Sequence, residues 1–344
     1  MITLREAFDA VLRGRSLDVD AAAAVFGEIL DDLVPDALVA GFLVALRLKG
    51  ETAGELAGGV RAMRQRARPL ELGPSRLLDT AGTGGDGAGT FNISTGAALV
   101  AAAGGIAVAK HGNRAVSGRV GGADVLERYG VRLDLDPAGL RACLAQAGIC
   151  FVFAPAYHPV LARLATLRRT LATRTAFNLL APLANPARPR YQLLGVAEPQ
   201  LLLPMAEGLA ALEVEHALVV HGNDGLDEIS VAAPTAVIEV RGKELSTYTI
   251  APADFGFGAA RPADLLTAGA GEAVELLQRA LSGEPGAAGD ALALNAGAAI
   301  YAGDGTPTLA AGIAMAREVL ASGRALQTLA RLRGATASPV EAVR

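Results

Sequence analysis

Apolar residues recur at helical spacing through roughly the first 65 residues, and no stretch there alternates as a strand would. Ser16 is placed to cap a helix through DVDAAAAVFGEIL, and Pro35 with Asp36 opens another through ALVAGFLVALRLKG. Thr52 and Glu55 have the spacing of a capping box ahead of LAGGVRAMRQRA. The segment RARPLELGPSR breaks the pattern and reads as a linker. Beyond it, short apolar runs alternate with helical stretches: Arg76–Thr80, Gly105–Ala109, Ile149–Ala154, Gln192–Val196 and His216–His221. Runs of that length separated by helices predict parallel strands in βαβ units. Ala236–Val240 and Glu244–Ile250, joined through Arg241-Gly242-Lys243, predict a hairpin. The C-terminal part reads as helical with one interrupting loop, and the tail after Arg333 as frayed. The pattern predicts an α/β protein. A small all-helical domain, ending near Arg68, precedes a large α/β domain with a mainly parallel sheet flanked by helices.

Composition refines this picture. Of 344 residues, 51% are hydrophobic but only 4% aromatic, so the interior is built from small aliphatic side chains. The net charge of −4 gives no general attraction for polyanions. Arg61, Arg64, Arg66 and Arg68 form the nearest approach to a basic stripe, and read better as a solvated helix face. Nucleic acid is not an expected partner. Cys143 and Cys150 make neither a CxxC motif nor a disulfide framework, and read as inert thiols of a reducing compartment. Arg5, Glu6 and Asp9 occupy the N-terminus where a signal peptide needs an apolar core, and Ala97–Ala109 is too short and glycine-broken for a bilayer. A cytoplasmic protein without a membrane partner is expected.

Candidate chemistry sits at three strand ends. The first strand runs into Gly82-Thr83-Gly84-Gly85-Asp86-Gly87, followed by an Ala-rich helix from about Ser94. Strand, glycine loop and helix present backbone N–H groups and a helix N-terminus to phosphate. The loop lacks the Lys-Ser/Thr of a Walker A motif and the spacing of a dinucleotide fingerprint. Asp86 would repel bare phosphate, which points to a hydroxyl-rich or metal-bridged ligand such as a phosphorylated ribose. A second strand leads into Lys110, His111, Gly112, Asn113, Arg114, Ser117 and Arg119, able to neutralise a pyrophosphate. A third leads into Asp224, Asp227 and Glu228. Alone, DGLDE is an ordinary surface turn. Opposite a phosphate cradle, its carboxylates suit Mg²⁺. His111, His158, His216 and His221 lack zinc-site spacing.

Taken in order, DTAGTGGDGAGTFNISTGAA, VAKHGNRAVSGRVGGADVLERYGV, HPVLARLATLRRTLATRTAFNLLAPLANP and VVHGNDGLDE closely resemble the anthranilate phosphoribosyltransferases, and the likeness spans nearly the whole chain. The resemblance implies a helical segment of about 158–190 joining residues 1–68. Residues 75–157 and 191–335 would form the α/β domain that binds phosphoribosyl pyrophosphate (PRPP). It implies transfer of the phosphoribosyl group of PRPP to anthranilate in tryptophan biosynthesis by a homodimer using two Mg²⁺ ions per subunit. Carried over by residue, Gly82, Gly85, Asp86, Thr90, Asn92, Ile93, Ser94 and Thr95 would hold PRPP. The run Lys110, His111, Gly112, Asn113, Arg114, Ala115, Val116, Ser117 and Gly118, with Gly122, would complete that site. Anthranilate would meet Gly82, His111, Asn113, His158, Arg168 and Pro182, with Arg168 facing its carboxylate. Ser94, Asp227 and Glu228 would ligate magnesium. Electrostatic and positioning roles would fall to Lys110, Arg168, Asp227 and Glu228, with no covalent intermediate.

Several positions depart from the family pattern. Gly118 and Gly122 stand where many members have serine, and Ala172 and Ala181 replace glycines of the LG-x-RT and LGPL patterns. A pyrimidine nucleoside phosphorylase shares the implied architecture, but KHGNR and RTAFN fit it poorly. A nucleic-acid-binding relative of the same fold would need a basic surface and a decayed metal site.

Overall fold

The computed structural model describes residues 2–115, 120–258 and 260–337. Four helices come first: α1 (Leu4–Leu12), α2 (Val19–Leu30), α3 (Asp36–Lys49) and α4 (Ala53–Arg66). Asp18, not Ser16, caps α2, accepting from the Ala21 amide at 2.8 Å. Asp18 lies one residue before the helix, where a carboxylate reaches the free amides, and Ser16 is too far upstream. At α4 the Glu55 carboxylate accepts from the Thr52 amide at 2.9 Å as the spacing predicts.

The chain then alternates: β1 (Leu78–Gly82), α5 (Ile93–Ala103), β2 (Val108–Gly112), α6 (Gly122–Arg128), α7 (Pro137–Ala147) and β3 (Ile149–Phe153). A helical excursion follows through α8 (Ala154–Tyr157), α9 (Leu164–Leu171) and α10 (Ala176–Leu180). Then come β4 (Tyr191–Gly195), α11 (Leu202–Ala211), β5 (His216–Gly222), β6 (Thr235–Arg241) and β7 (Glu244–Ile250). Four helices close the chain: α12 (Ala270–Leu281), α13 (Ala287–Ala302), α14 (Leu309–Ala321) and α15 (Arg324–Ala337). The segment after Arg333 is therefore not frayed as far as Ala337. Ala335 and Thr336 are buried, and the Thr336 hydroxyl accepts from the Arg132 amide.

The sheet order is β3-β2-β1-β4-β5-β6-β7, with β3 to β5 parallel and the last two strands antiparallel. Successive residues of the central strands face different cores. Leu193, Leu218 and Val220 join the core formed with α5, α7 and α13–α15. Leu194, Val219 and Val240 join α1–α4, α9–α11 and the residues between them. Burial on both faces explains the near-continuous apolar runs. Strand order turns outward in both directions from β1 and β4, so their carboxyl ends border the crevice in which open α/β sheets bind ligands.

Candidate active site

That crevice is a cleft of about 430 Å³, walled by the sheet's carboxyl edge and by α4, α9 and α10. The glycine loop leaves β1 with positive φ at Gly84 and Gly85, backbone that a side chain would strain. Asp227, carried on the turn after β5, crosses over the ends of β1 and β4. A Cβ at Gly195 would stand 1.4 Å from the Asp227 carbonyl oxygen, so only glycine permits the crossing. The Asp227 carboxylate then accepts from the Gly84 amide at 2.7 Å, and the Glu228 carboxylate from the Ser94 amide at 3.3 Å. Asp224 turns away and accepts from the Ser230 hydroxyl at 2.6 Å, which leaves it a loop-forming role.

Lys110 is buried, and its ammonium donates to the Thr80 carbonyl at 2.5 Å and to the Ser94 hydroxyl at 3.3 Å. Burial lowers its pKa, against the pull of Asp79, Glu228 and Asp227. Burial raises the pKa of both site carboxylates. Asp86 raises Asp227 further, to about 6, and Asp227 raises Glu228 further. Two partly buried carboxylates that repel each other, with Glu228 Oε2 buried and lacking any partner, form an oxygen pair suited to a divalent cation. Among the described residues no group of three His, Cys, Asp or Glu side chains could hold a metal alone. The remaining ligands would come from hydroxyl, water or phosphate oxygens.

The opposite wall carries the aromatic-sized half of the cleft. His111 and His158 meet edge to face at 5.4 Å. Burial holds both neutral, lowering His111 to about 3 and His158 to about 4. His158 Nε2 lies 3.1 Å from the Ala184 carbonyl, which needs a donor there and leaves Nδ1 as a bare acceptor. His111 Nε2 is likewise buried without a partner. Beneath them Asp79, fully buried and raised to about 6 by burial, accepts from the His111 amide and from Asn185 Nδ2 at 3.0 and 2.9 Å. Pro182 lines this half, and Arg168 reaches it from α9.

The structure thus brings Gly82, Gly85, Asp86, Thr90, Asn92, Ser94 and Thr95 to one wall. The Lys110–Ala115 stretch, Gly122, Asp227 and Glu228 lie beside them. Ile93 differs: its side chain is fully buried in the α5 core, so it offers a ligand no side-chain contact. Arg114 is also turned outward, donating to Glu127 at 2.6 Å and stacking on Phe153. Val116, Ser117, Gly118 and Arg119 lie outside the described residues. Arg64 is not on a solvated face. Its guanidinium is largely buried, donates to the Leu183 carbonyl at 2.8 Å, and is lowered by burial to about 10. Arg174, which motif spacing did not single out, enters beside Gly85. A cation-containing motif such as RTAFN was the available signal. A shallower pocket of about 300 Å³ by Arg241 and Asp304–Pro307 lies elsewhere, and its charged groups already pair with each other.

The family described as "Glycosyl transferase family, a/b domain" matches residues 74–326, and "Glycosyl transferase family, helical bundle domain" matches residues 5–67. The chain is 48% identical over 328 residues to the anthranilate phosphoribosyltransferase of Thermomicrobium roseum, covering 94% of each chain. It is also 48% identical over 335 residues to that of Chloroflexus aggregans, covering 96% of this chain and 98% of the relative. The crystal structure of the Thermus thermophilus anthranilate phosphoribosyltransferase superposes with a TM-score of 0.91 at 45% identity, over 96% of this chain and 99% of that one. The Saccharomyces cerevisiae enzyme, in complex with PRPP and Mg, gives 0.83 at 25% identity, over 98% and 94%.

Proposed function

The chain belongs to the anthranilate phosphoribosyltransferase family and transfers the phosphoribosyl group of PRPP to the amine of anthranilate, and we propose that the cleft at the β1/β4 carboxyl ends is where it does so. One observation carries the site assignment. Buried polar atoms without partners, among them Asn92 Oδ1, Thr95 Oγ1, Glu228 Oε2, His111 Nε2 and His158 Nδ1, gather in this one cleft. Buried polar groups are normally satisfied, so their concentration marks the place a polar ligand completes.

The diphosphate of PRPP lies along the glycine loop at Gly85 and the start of α5, near Lys110. Asp227, Glu228 and the Ser94 hydroxyl would hold Mg²⁺, two ions per subunit, which would supply charge neutralisation for the departing pyrophosphate. The C1–O bond to pyrophosphate breaks and the C1–N bond forms, through an oxocarbenium-like ribose. The amine loses its proton as the bond forms, to the bare ring nitrogens that neutral His111 and His158 turn into the cleft. Lys110 stabilises charge on the leaving group, and its fixed position requires no reorganisation as that charge develops. Arg168, lowered in pKa by burial, offers its planar fork to the anthranilate carboxylate. Neutral His111 and His158 present acceptors to the aromatic amine rather than positive charge, which would repel an electron-poor anomeric carbon. The reaction needs alignment and electrostatics, and no nucleophilic side chain.

The division into 1–68 with about 158–190, against 75–157 and 191–335, belongs to the same proposal. The two-sided sheet burial supports it. A homodimer through the helical domain is part of the same proposal, supported by Leu12, Leu33 and Leu48, which are 62%, 70% and 84% exposed there. A cytoplasmic setting suits the buried free thiols of Cys143 and Cys150. Among the described residues no helix is long and apolar enough to cross a membrane. The activity is checked by loss of anthranilate fluorescence on adding enzyme, PRPP and Mg²⁺. Fluorescence should persist when either PRPP or the metal is withheld, and loss without PRPP would refute the reading.

A further inference from the structure

Arg174 sits in the turn between α9 and α10, on the helical side of the cleft. Three interactions fix it. Arg47 Nη1, from α3, donates to the Arg174 carbonyl and to the Thr173 hydroxyl, each at 2.7 Å, which pins the turn. Glu198, beyond the end of β4, accepts from Arg174 Nη1 at 2.8 Å and takes a second hydrogen bond from Gln200. The guanidinium also lies flat against the glycine loop. A Cβ at Gly85 would meet Arg174 Cδ, Nε and Cζ at 3.6, 3.7 and 3.8 Å. Only a fifth of the side chain is exposed, yet Nη2 is buried with no partner. An orphaned donor on a tethered guanidinium is costly unless a ligand satisfies it.

The chemistry of that ligand follows from the neighbours. The Gly85 loop is the phosphate cradle of the proposed site, while the carboxylate-sized partner of anthranilate faces Arg168 on α9. Glu198 neutralises one edge of the Arg174 fork and sets its direction. We propose that Arg174 is a further binding residue for PRPP, contributed by the helical side, whose Nη2 donates to the diphosphate laid along the glycine loop at Gly85. The leaving pyrophosphate is then held from both walls of the cleft: by Lys110 and the loop amides on the sheet side, and by Arg174 across from them. Glu198 is a positioning residue, acting only through Arg174. The assignment rests on the PRPP reading of the glycine loop.

Calorimetric titration of magnesium pyrophosphate into the full chain, beside steady-state kinetics, tests it. In R174Q the dissociation constant for magnesium pyrophosphate and the KM for PRPP should both rise about tenfold or more, the scale of one charge-assisted hydrogen bond. The KM for anthranilate should stay within about twofold, and R174K should recover part of the loss. A merely structural role would lower the melting temperature without this split. Pyrophosphate affinity in folded R174Q equal to that of the natural chain would overturn the assignment, as would an effect confined to anthranilate. If R174Q does not fold, E198Q keeps the cation and releases its tether. Several-fold weaker pyrophosphate binding is then expected, and unchanged affinity would refute it. A natural chain that binds neither pyrophosphate nor PRPP would instead bring down the PRPP reading itself.

Discussion

Asp227 and Glu228 are held where two negative charges are costly, partly buried and adjacent in the chain, and both are raised above the ordinary carboxylate range by burial and by neighbouring carboxylates. A fold keeps such groups only when a ligand offsets the cost. Asp227→Asn with Glu228→Gln should therefore abolish most magnesium-dependent turnover, about a hundredfold or more. The melting temperature should hold or rise, since uncharged isosteres remove the repulsion. Retained turnover in the double variant would remove the metal site. The two histidines predict a pH dependence of stability. His111 and His158 titrate at about 3 and about 4 when folded, below the unfolded value near 6.5. The unfolded chain therefore binds more protons between those limits. Their contribution is present above pH 6.5 and falls away toward pH 4. Asp79 and Asp227, each raised to about 6, and Glu228, also raised, act in the opposite sense over that window. The histidine contribution is therefore read by difference: the stability of His111→Gln with His158→Gln relative to the natural chain, from denaturant midpoints, should rise from pH 7 to pH 5, and a difference independent of pH would contradict it. Residue types and order gave Lys110, Asp227 and Glu228 in the sequence. Arg174 sits in the RTAFN motif, but neither its role nor that of Asp79 could be read there, because each depends on partners 24 to 106 residues away.

At the scale of elements, each strand end is shaped by glycine. Gly195 has no room for a side chain under the Asp227 carbonyl. Gly195→Ala should displace the carboxylate turn and raise the KM for PRPP severely. Circular dichroism would show that the sheet survives, and unchanged kinetics would mean the turn can shift without consequence. Ala172 carries the opposite lesson. It ends α9 in the left-handed conformation at φ 47°, where the family pattern has glycine. Ala172→Gly should stabilise the protein by about 1 kcal/mol, measured by denaturant unfolding, by removing that strain. At Gly122, also a departure, a Cβ would come 2.7 Å from the Thr95 hydroxyl, so this chain leaves that hydroxyl free for a ligand. Strand existence was legible from short apolar runs, but β1 and β2 both begin and end later than the runs suggest. Periodicity ends a strand at its first polar residues. Lys110 and His111 instead remain in the ladder because the cleft buries them.

In the whole molecule, a seven-stranded sheet presents three loops at one edge, and the helical layer closes over them. The alternation of runs and helices predicted the parallel sheet. The helices returning from residues 158–190 could not be placed by periodicity, since α9 and α10 are only eight and five residues long. Their destination is set by the core shared with α1–α4. Sedimentation should give a dimer, and Leu48→Asp with Val44→Asp on α3 should yield monomers. A dimer that persists would place the interface elsewhere. The central claim is that three strand ends grip one diphosphorylated sugar, and a crystal structure with PRPP and Mg²⁺ bound tests it most directly. The diphosphate should lie within hydrogen-bond distance of the glycine loop at Gly85 and near Lys110, with metal density on Asp227 and Glu228. Diphosphate density away from the glycine loop, or metal bound without either carboxylate, would contradict it.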